Sequence, residues 1–184
     1  KASGIGAKKR YALLSEENSI TIKGFESVRR NTSPIAREVQ ENVFSIILRE
    51  QDTKKALKYV KDTVMNIRKK LIPNGQMVIH IQLTKEIDEY DSKGPHVAVA
   101  QRLRNQGIHV GPGSSIGFIV CQGADNIRDR AKFPEEVKQG EYDAEYYVHN
   151  QVIPAVERVF NVLGFEKDHL LESHQQTKLA GFFS

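Results

Sequence analysis

Apolar positions recur at helical spacing in the longer stretches of this chain and alternate in the shorter ones. In "NTSPIAREVQENVFSIILRE", Ile35, Val39, Val43 and Ile46 are spaced four, four and three apart. That spacing lines one face of a helix. Ser33 stands where a cap belongs, and Pro34 suits the first helical position. After "QDT", the positions Leu57, Val60, Val64, Ile67 and Leu71 are spaced three, four, three and four apart. They predict a second helix, stopped by "PNG" at 73–75. Two such stripes with a short link predict an antiparallel pair packed on a common core. "GPHVAVAQRLRNQG" predicts a further helix with Gly107 as its stop. "YDAEYYVHNQVIPAVERVFNVLG" predicts a third long helix, capped by Asp143 and ended by Gly164, with Val152, Val156, Val159 and Leu163 on one face. Pro154 falls inside it and must kink it or reset its first turn.

Strand signals are shorter. "RYALLSEENSITIKG" predicts a hairpin with strands near 10–14 and 19–23. "MVIHIQLT" at 77–84 and the stretch near 115–121 predict single strands. After Gly164 the pattern fades into a polar tail. These elements make a helix-rich α+β fold, with strands too short and scattered for a doubly wound sheet.

Composition narrows the class. A chain of 184 residues, 39% hydrophobic and 27% charged, can build one domain or two small subdomains around a real core. No apolar run is long enough to span a bilayer, so no membrane partner is expected. The first thirty residues hold no signal-peptide core. Cys121 is the single cysteine, which rules out an internal disulfide framework or a Cys-rich metal module and suits a reducing cytoplasm. The chain opens on Lys1 rather than Met, as a processed, cut or trimmed polypeptide would.

The net charge of +4 is unevenly placed. Residues 1–30 carry seven basic side chains and three acidic ones, 7 − 3 = +4, while the rest of the chain balances at twenty of each. A basic end suits a polyanion, nucleic acid first; a solvated basic surface with no partner is the plain alternative. No catalytic centre is legible. The aspartates form no Asp-x-Asp pair, the six histidines are scattered, and no phosphate-binding glycine loop or nucleophile elbow is present. No metal-ligating set is assigned. The cluster Lys8, Lys9, Arg10 beside Tyr11 stands out, because cations at a strand entry can reach phosphates or the sequence-tolerant acceptors of a minor groove.

The string around that cluster resembles a known family. "AKKRYALL", followed by "IKGFESVRRNTSPIAREVQENV", is similar to the palm-to-thumb passage of family B DNA polymerases, especially the archaeal ones. The likeness continues in order through "GPHVAVAQRL", "PGSSIGFIV", "RDRA" and "YDAEYYVHNQVIPAVERV". It implies that Lys8, Lys9 and Tyr11 form the Lys-Lys-x-Tyr motif that tracks the minor groove of new duplex, with Arg10 beside them. Arg29 and Arg30 would open the thumb, which holds the primer–template backbone, and Thr32 and Ser33 would continue the DNA-binding passage. Asn31 stands where the family usually has an aspartate. Gly94 and His96 open a helix whose free amides can face a phosphate, with ordinary capping as the equal alternative.

The family's catalytic aspartates and its exonuclease lie upstream, and none of those motifs is in this sequence. The resemblance therefore implies a C-terminal piece: a palm-edge hairpin over residues 1–28, a thumb over 29–168 and a tail over 169–184. A larger catalytic polypeptide carrying the palm and exonuclease would be its partner, as in archaeal enzymes split into two chains; a fragment of a single chain fits equally. Mg²⁺ would act in the assembled enzyme, with none bound by this chain. In the tail, Gln176, Leu179, Phe182 and Phe183 resemble the box by which replication proteins dock on the sliding clamp (PCNA). One tight helical turn would gather the apolar groups into a plug. The second reading is a non-catalytic DNA-binding accessory protein recruited by the clamp.

Overall fold

The computed structural model describes residues 11–25 and 31–171. Strands β1 (Tyr11–Leu14) and β2 (Ile20–Lys23) form the expected antiparallel hairpin, with Tyr11 opposite Lys23 and Leu14 opposite Ile20. Asn18 takes the left-handed conformation in its turn (φ 61), which asparagine tolerates better than most residues.

Helix α1 (Pro34–Ser45) buries Ile35, Val39 and Val43 as the stripe predicts. It then widens into a π-helical segment, Ile46–Glu50, where Ile46 is only half-buried. Helix α2 (Thr53–Arg68) starts at Asp52, whose carboxylate accepts the Lys55 amide at 2.8 Å. It stops earlier than "PNG" predicts. Lys70 adopts φ 61, and Leu71, expected on the apolar stripe, lies outside the helix and exposed. A tertiary contact compensates the unfavourable backbone: Lys70 Nζ donates to the Tyr142 carbonyl and sits 4.5 Å over the Tyr142 ring. Residues Asn74–Met77 of the expected stop form a short 3₁₀ turn leading into β3.

Strands β3 (Ile79–Gln82), β4 (Ser115–Val120) and β5 (Ala131–Lys132) form a three-stranded antiparallel sheet in that order. Ile79 faces Phe118 across the first pair, and Ile119 faces Lys132 across the second. From Ile116 onward β4 is buried on both faces, which is why it reads as a continuous apolar run rather than an alternation. Helix α3 (Pro95–Asn105) ends as predicted, with Gly107 at φ 85 and the Ile108 amide reaching back to Leu103 O at 3.0 Å. A one-turn helix α4 (Ile127–Arg130) leads into β5 and is too short to leave a period in the sequence.

The last long helix is not continuous. It runs as α5 (Ala144–Tyr147), a π-helical segment (Val148–Val152) and α6 (Ile153–Val162). Pro154 falls in the first turn of α6, so the wider segment before it absorbs the amide that proline lacks. Asp143 caps α5 by accepting the Tyr146 amide at 3.0 Å, and Gly164 closes α6 at φ 85. Val152 and Val156 are buried, but Val159 is half-buried and Leu163 exposed, so the expected apolar face is only partly core. Where the sequence reads as tail, a short helix α7 (Lys167–Leu171) buries Leu170 completely. One cluster joins α1, α2, α3, the sheet and α6 through residues such as Val39, Val60, Ile67, Phe118, Val156 and Phe160. Among the described residues, no helix is long and apolar enough to cross a membrane.

Candidate nucleic-acid interface

Lys8, Lys9, Arg10, Arg29 and Arg30 lie outside the described residues, as do Gln176, Leu179, Phe182 and Phe183. Of the hairpin motif, Tyr11 is described. It heads β1 with 41% of its surface exposed, so its ring is available beside the strand entry that follows the basic cluster.

Thr32 and Ser33 lead directly into α1. Both are buried, with Ser33 fully covered. Ser33 occupies the cap position but makes no side-chain capping bond, contrary to the expectation from sequence. Its amide instead donates to Gln151 Oε1 at 2.9 Å, on the π-helical segment between α5 and α6. The Ser33 hydroxyl is buried with no hydrogen-bond partner among the described residues. This entry to α1 is therefore held by tertiary structure: a side chain 118 positions away fixes it.

Gly94 and His96 lie together at the start of α3. A Cβ on Gly94 would sit 3.2 Å from His96 Cε1, so glycine lets the imidazole fold back over the helix start. The ring meets Tyr90 edge-on at 5.8 Å between centroids. Burial lowers the His96 pKa, and its Nδ1 is buried without a hydrogen-bond partner.

Several cations outside the hairpin are already engaged. Arg104 grips Asp88 through both terminal nitrogens at 2.8 and 3.0 Å. Arg68 grips Glu145 at 2.9 and 3.1 Å, and Lys58 meets Asp62 at 2.6 Å. More informative are two ties that the sequence does not announce. Arg102, from "GPHVAVAQRL", donates to the carbonyl of Ala131 in "RDRA". Arg130, from "RDRA", reaches Asp143 of "YDAEYY" at 2.5 Å and the Cys121 carbonyl at 2.9 Å. Three passages that are separate in sequence thus lock into one frame behind α3. Burial pushes the Asp143 carboxyl up, yet the Arg130 and Tyr146 hydrogen bonds and the nearby Arg130 and Lys70 charges outweigh it and hold the group below its ordinary value. Period and spacing could not reveal these arginines, because charged side chains 13 to 29 positions from their partners leave no repeating pattern.

A divalent ion needs converging oxygen ligands. Among the described residues no three His, Cys, Asp or Glu side chains converge, and Asp62, Asp88, Asp143 and Glu145 are each held by a cation. These residues do not fit a Mg²⁺ site.

The model of one protein family, described as DNA polymerase family B, matches residues 5–163. The DNA polymerase of Thermococcus aggregans is 45% identical over 177 residues, which is 95% of this chain and 10% of that protein. The DNA polymerase of Thermococcus sp. (strain 9oN-7) is 43% identical over 176 residues, again 95% of this chain but 22% of the relative. A solved structure of the family B DNA polymerase from the hyperthermophilic archaeon Pyrobaculum calidifontis superposes with a TM-score of 0.73 at 35% identity, covering 87% of this chain and 21% of that one. The chain spans between a tenth and about a fifth of the length of these relatives.

Proposed function

The chain belongs to DNA polymerase family B, and on that footing we propose that it forms the palm edge and thumb of a DNA-directed DNA polymerase. Residues 1–28 would be the palm edge, 29–168 the thumb and 169–184 a tail that docks on the sliding clamp. The observation that carries this reading is the family match from residue 5 to residue 163, which takes in hairpin and helical body together. An accessory protein with an unrelated body would have no reason to match beyond the basic motif.

In this reading the chain holds DNA and leaves the chemistry to the remainder of the polymerase, whose carboxylates would hold Mg²⁺ to activate the primer 3′-hydroxyl. Lys8, Lys9 and Arg10 neutralise phosphates or meet minor-groove acceptors, and Tyr11 flanks them. Arg29 and Arg30 would hold the backbone where the hairpin gives way to α1. Thr32 and Ser33 act through the buried α1 entry, which orients that passage against Gln151. The amides of His96 and Val97 offer a phosphate seat at the start of α3, where the Gly94 amide is taken by the Ser92 carbonyl and Pro95 has none. The enzyme would work in the cytoplasm, on primer–template duplex.

Duplex affinity over a salt series tests this. Binding to primer–template by fluorescence anisotropy should weaken steeply with salt, and Lys9→Ala should flatten the log–log slope by about 0.9, the release expected for one lost phosphate contact. Absence of duplex binding, or an unchanged slope in the variant, refutes the assignment of Lys9.

A further inference from the structure

We propose that the cleft between α3 and α4 is a phosphate-binding subsite built on Lys93, Arg102 and Arg128. Along α3, Ala98, Gln101, Arg102 and Asn105 are spaced three, one and three apart, so they share one face of the helix. That face is turned away from the core positions Ala100 and Leu103. Lys93, just before the helix start, and Arg128 and Asp129 of α4 complete the lining of a cleft of about 360 Å³. A second cleft of about 390 Å³ shares Arg102 and Asp129 and adds one cation, Lys132, and one carboxylate, Glu136.

Charge sets the first cleft apart. Arg68, Arg104 and Arg130 meet carboxylates at 2.9, 2.8 and 2.5 Å. Lys93 instead donates to the neutral Gln101 side chain at 3.3 Å, and Arg102 to the neutral Ala131 carbonyl. Asp129, the carboxylate in this lining, meets Arg128 at a long 3.4 Å. Asp88 feels the Lys93 charge from nearby, but both its oxygens are taken by Arg104. Three cations thus converge on one space with a single loosely held carboxylate, which draws an anion into the cleft. A guanidinium held at one nitrogen presents its remaining N–H groups in a fixed fork, the geometry that a phosphate accepts. The amides of Gln101 and Asn105 add neutral donors beside it. A polymerase meets phosphate in two forms, the backbone of a DNA strand and the pyrophosphate released as each nucleotide adds. Both sources rest on the function proposed above.

Acetylation of Lys93 by an N-hydroxysuccinimide ester, followed by peptide mass spectrometry in the complete polymerase, tests the subsite. Primer–template duplex and inorganic pyrophosphate are added in separate arms. In at least one arm, Lys93 labelling should slow about tenfold once the ligand reaches about ten times its dissociation constant. Lys54, exposed on α2 outside the cleft, should be unchanged. Arg128→Gln should remove the protection, and Arg128→Lys, which keeps the charge, should retain it. The Arg128 side chain is half exposed and bonds to its neighbour Asp129, so both variants fold. In the duplex arm, Arg128→Gln should also flatten the log–log salt slope by about 0.9. Slowing by duplex alone assigns the subsite to a strand phosphate; slowing by pyrophosphate alone assigns it to the small anion. Slowing in neither arm overturns the proposal, and duplex binding that still depends on Lys9 then leaves the functional reading standing. Failure to bind duplex at all overturns the functional reading, and the pyrophosphate arm then decides the subsite. Equal slowing at Lys54, or undiminished protection in Arg128→Gln, marks general screening and also overturns the proposal.

Discussion

Breaking the Arg130–Asp143 tie should destabilise the fold by an amount that can be worked from its geometry. Arg130 is 13% exposed and Asp143 22%, so the pair is mostly shielded from water. Arg130 donates to Asp143 Oδ2 at 2.5 Å, to the Cys121 carbonyl at 2.9 Å and, through Nε, to the Asp125 carbonyl at 2.9 Å. Arg130→Met keeps the packing of the stem and removes all three bonds. The charge-assisted bond is worth about 1.5–3 kcal/mol and the two carbonyl bonds add to it, for a total loss of about 3–4 kcal/mol. With a urea slope of about 2 kcal/mol per molar, the unfolding midpoint should fall by about 1.5–2 M. Asp143→Asn retains an oxygen for the Tyr146 amide but loses the charge. A double-mutant cycle in urea should return a coupling of about 1.5–3 kcal/mol. The pH dependence has a definite sign. The folded pKa of Asp143 is depressed, so its contribution is present above the unfolded value of about 3.9 and is lost as the pH falls through the lower folded value. Asp143→Asn should lose that acid limb. A coupling under about 0.5 kcal/mol, the size of ordinary additivity error, would refute the reasoning, as would an unchanged acid limb.

Three other outcomes are expected. Phe182→Ala combined with Phe183→Ala should abolish clamp-stimulated synthesis by the complete polymerase while sparing synthesis without the clamp; equal loss in both assays would make the phenylalanines structural. Tyr147→Phe should cost about 1–3 kcal/mol in urea unfolding, because the hydroxyl accepts the Val120 amide at 3.1 Å in the core and its loss leaves that N–H unsatisfied. Since burial lowers the folded pKa of His96, the unfolded chain binds the proton more readily, and stability should be full above about pH 6.5 and decline below it. His96→Gln should remove that decline in thermal unfolding followed across pH, and a decline of the same size in the variant would assign it to another group.

Signals that act within a few residues were legible in the sequence. Pro34, Gly107, Gly164 and the Asp143 carboxylate mark helix ends because a cap or a left-handed residue does its work within one turn. The hairpin and the buried stripes of α1 and α2 follow from periods of two and 3.6 for the same reason. The family was legible as a string, through likeness and not through any chemistry its spacing displays. Tertiary structure decided the rest. Helix α2 ends at Arg68, and Lys70 holds its left-handed turn beyond that end because a distant ring and carbonyl receive it, and no local code carries their position. Leu170 is core because α6 and α2 lie over it, although one buried residue in five has no period to detect. Ser33 stands where a cap belongs, yet it is fully buried without a side-chain capping bond, and its amide is held by Gln151. Arg102 and Arg130, which carry no sequence signal of their own, are the ties between three motifs. Local backbone geometry is a property of neighbouring residues, whereas burial and charge pairing depend on which distant surface arrives, and only the folded chain specifies that.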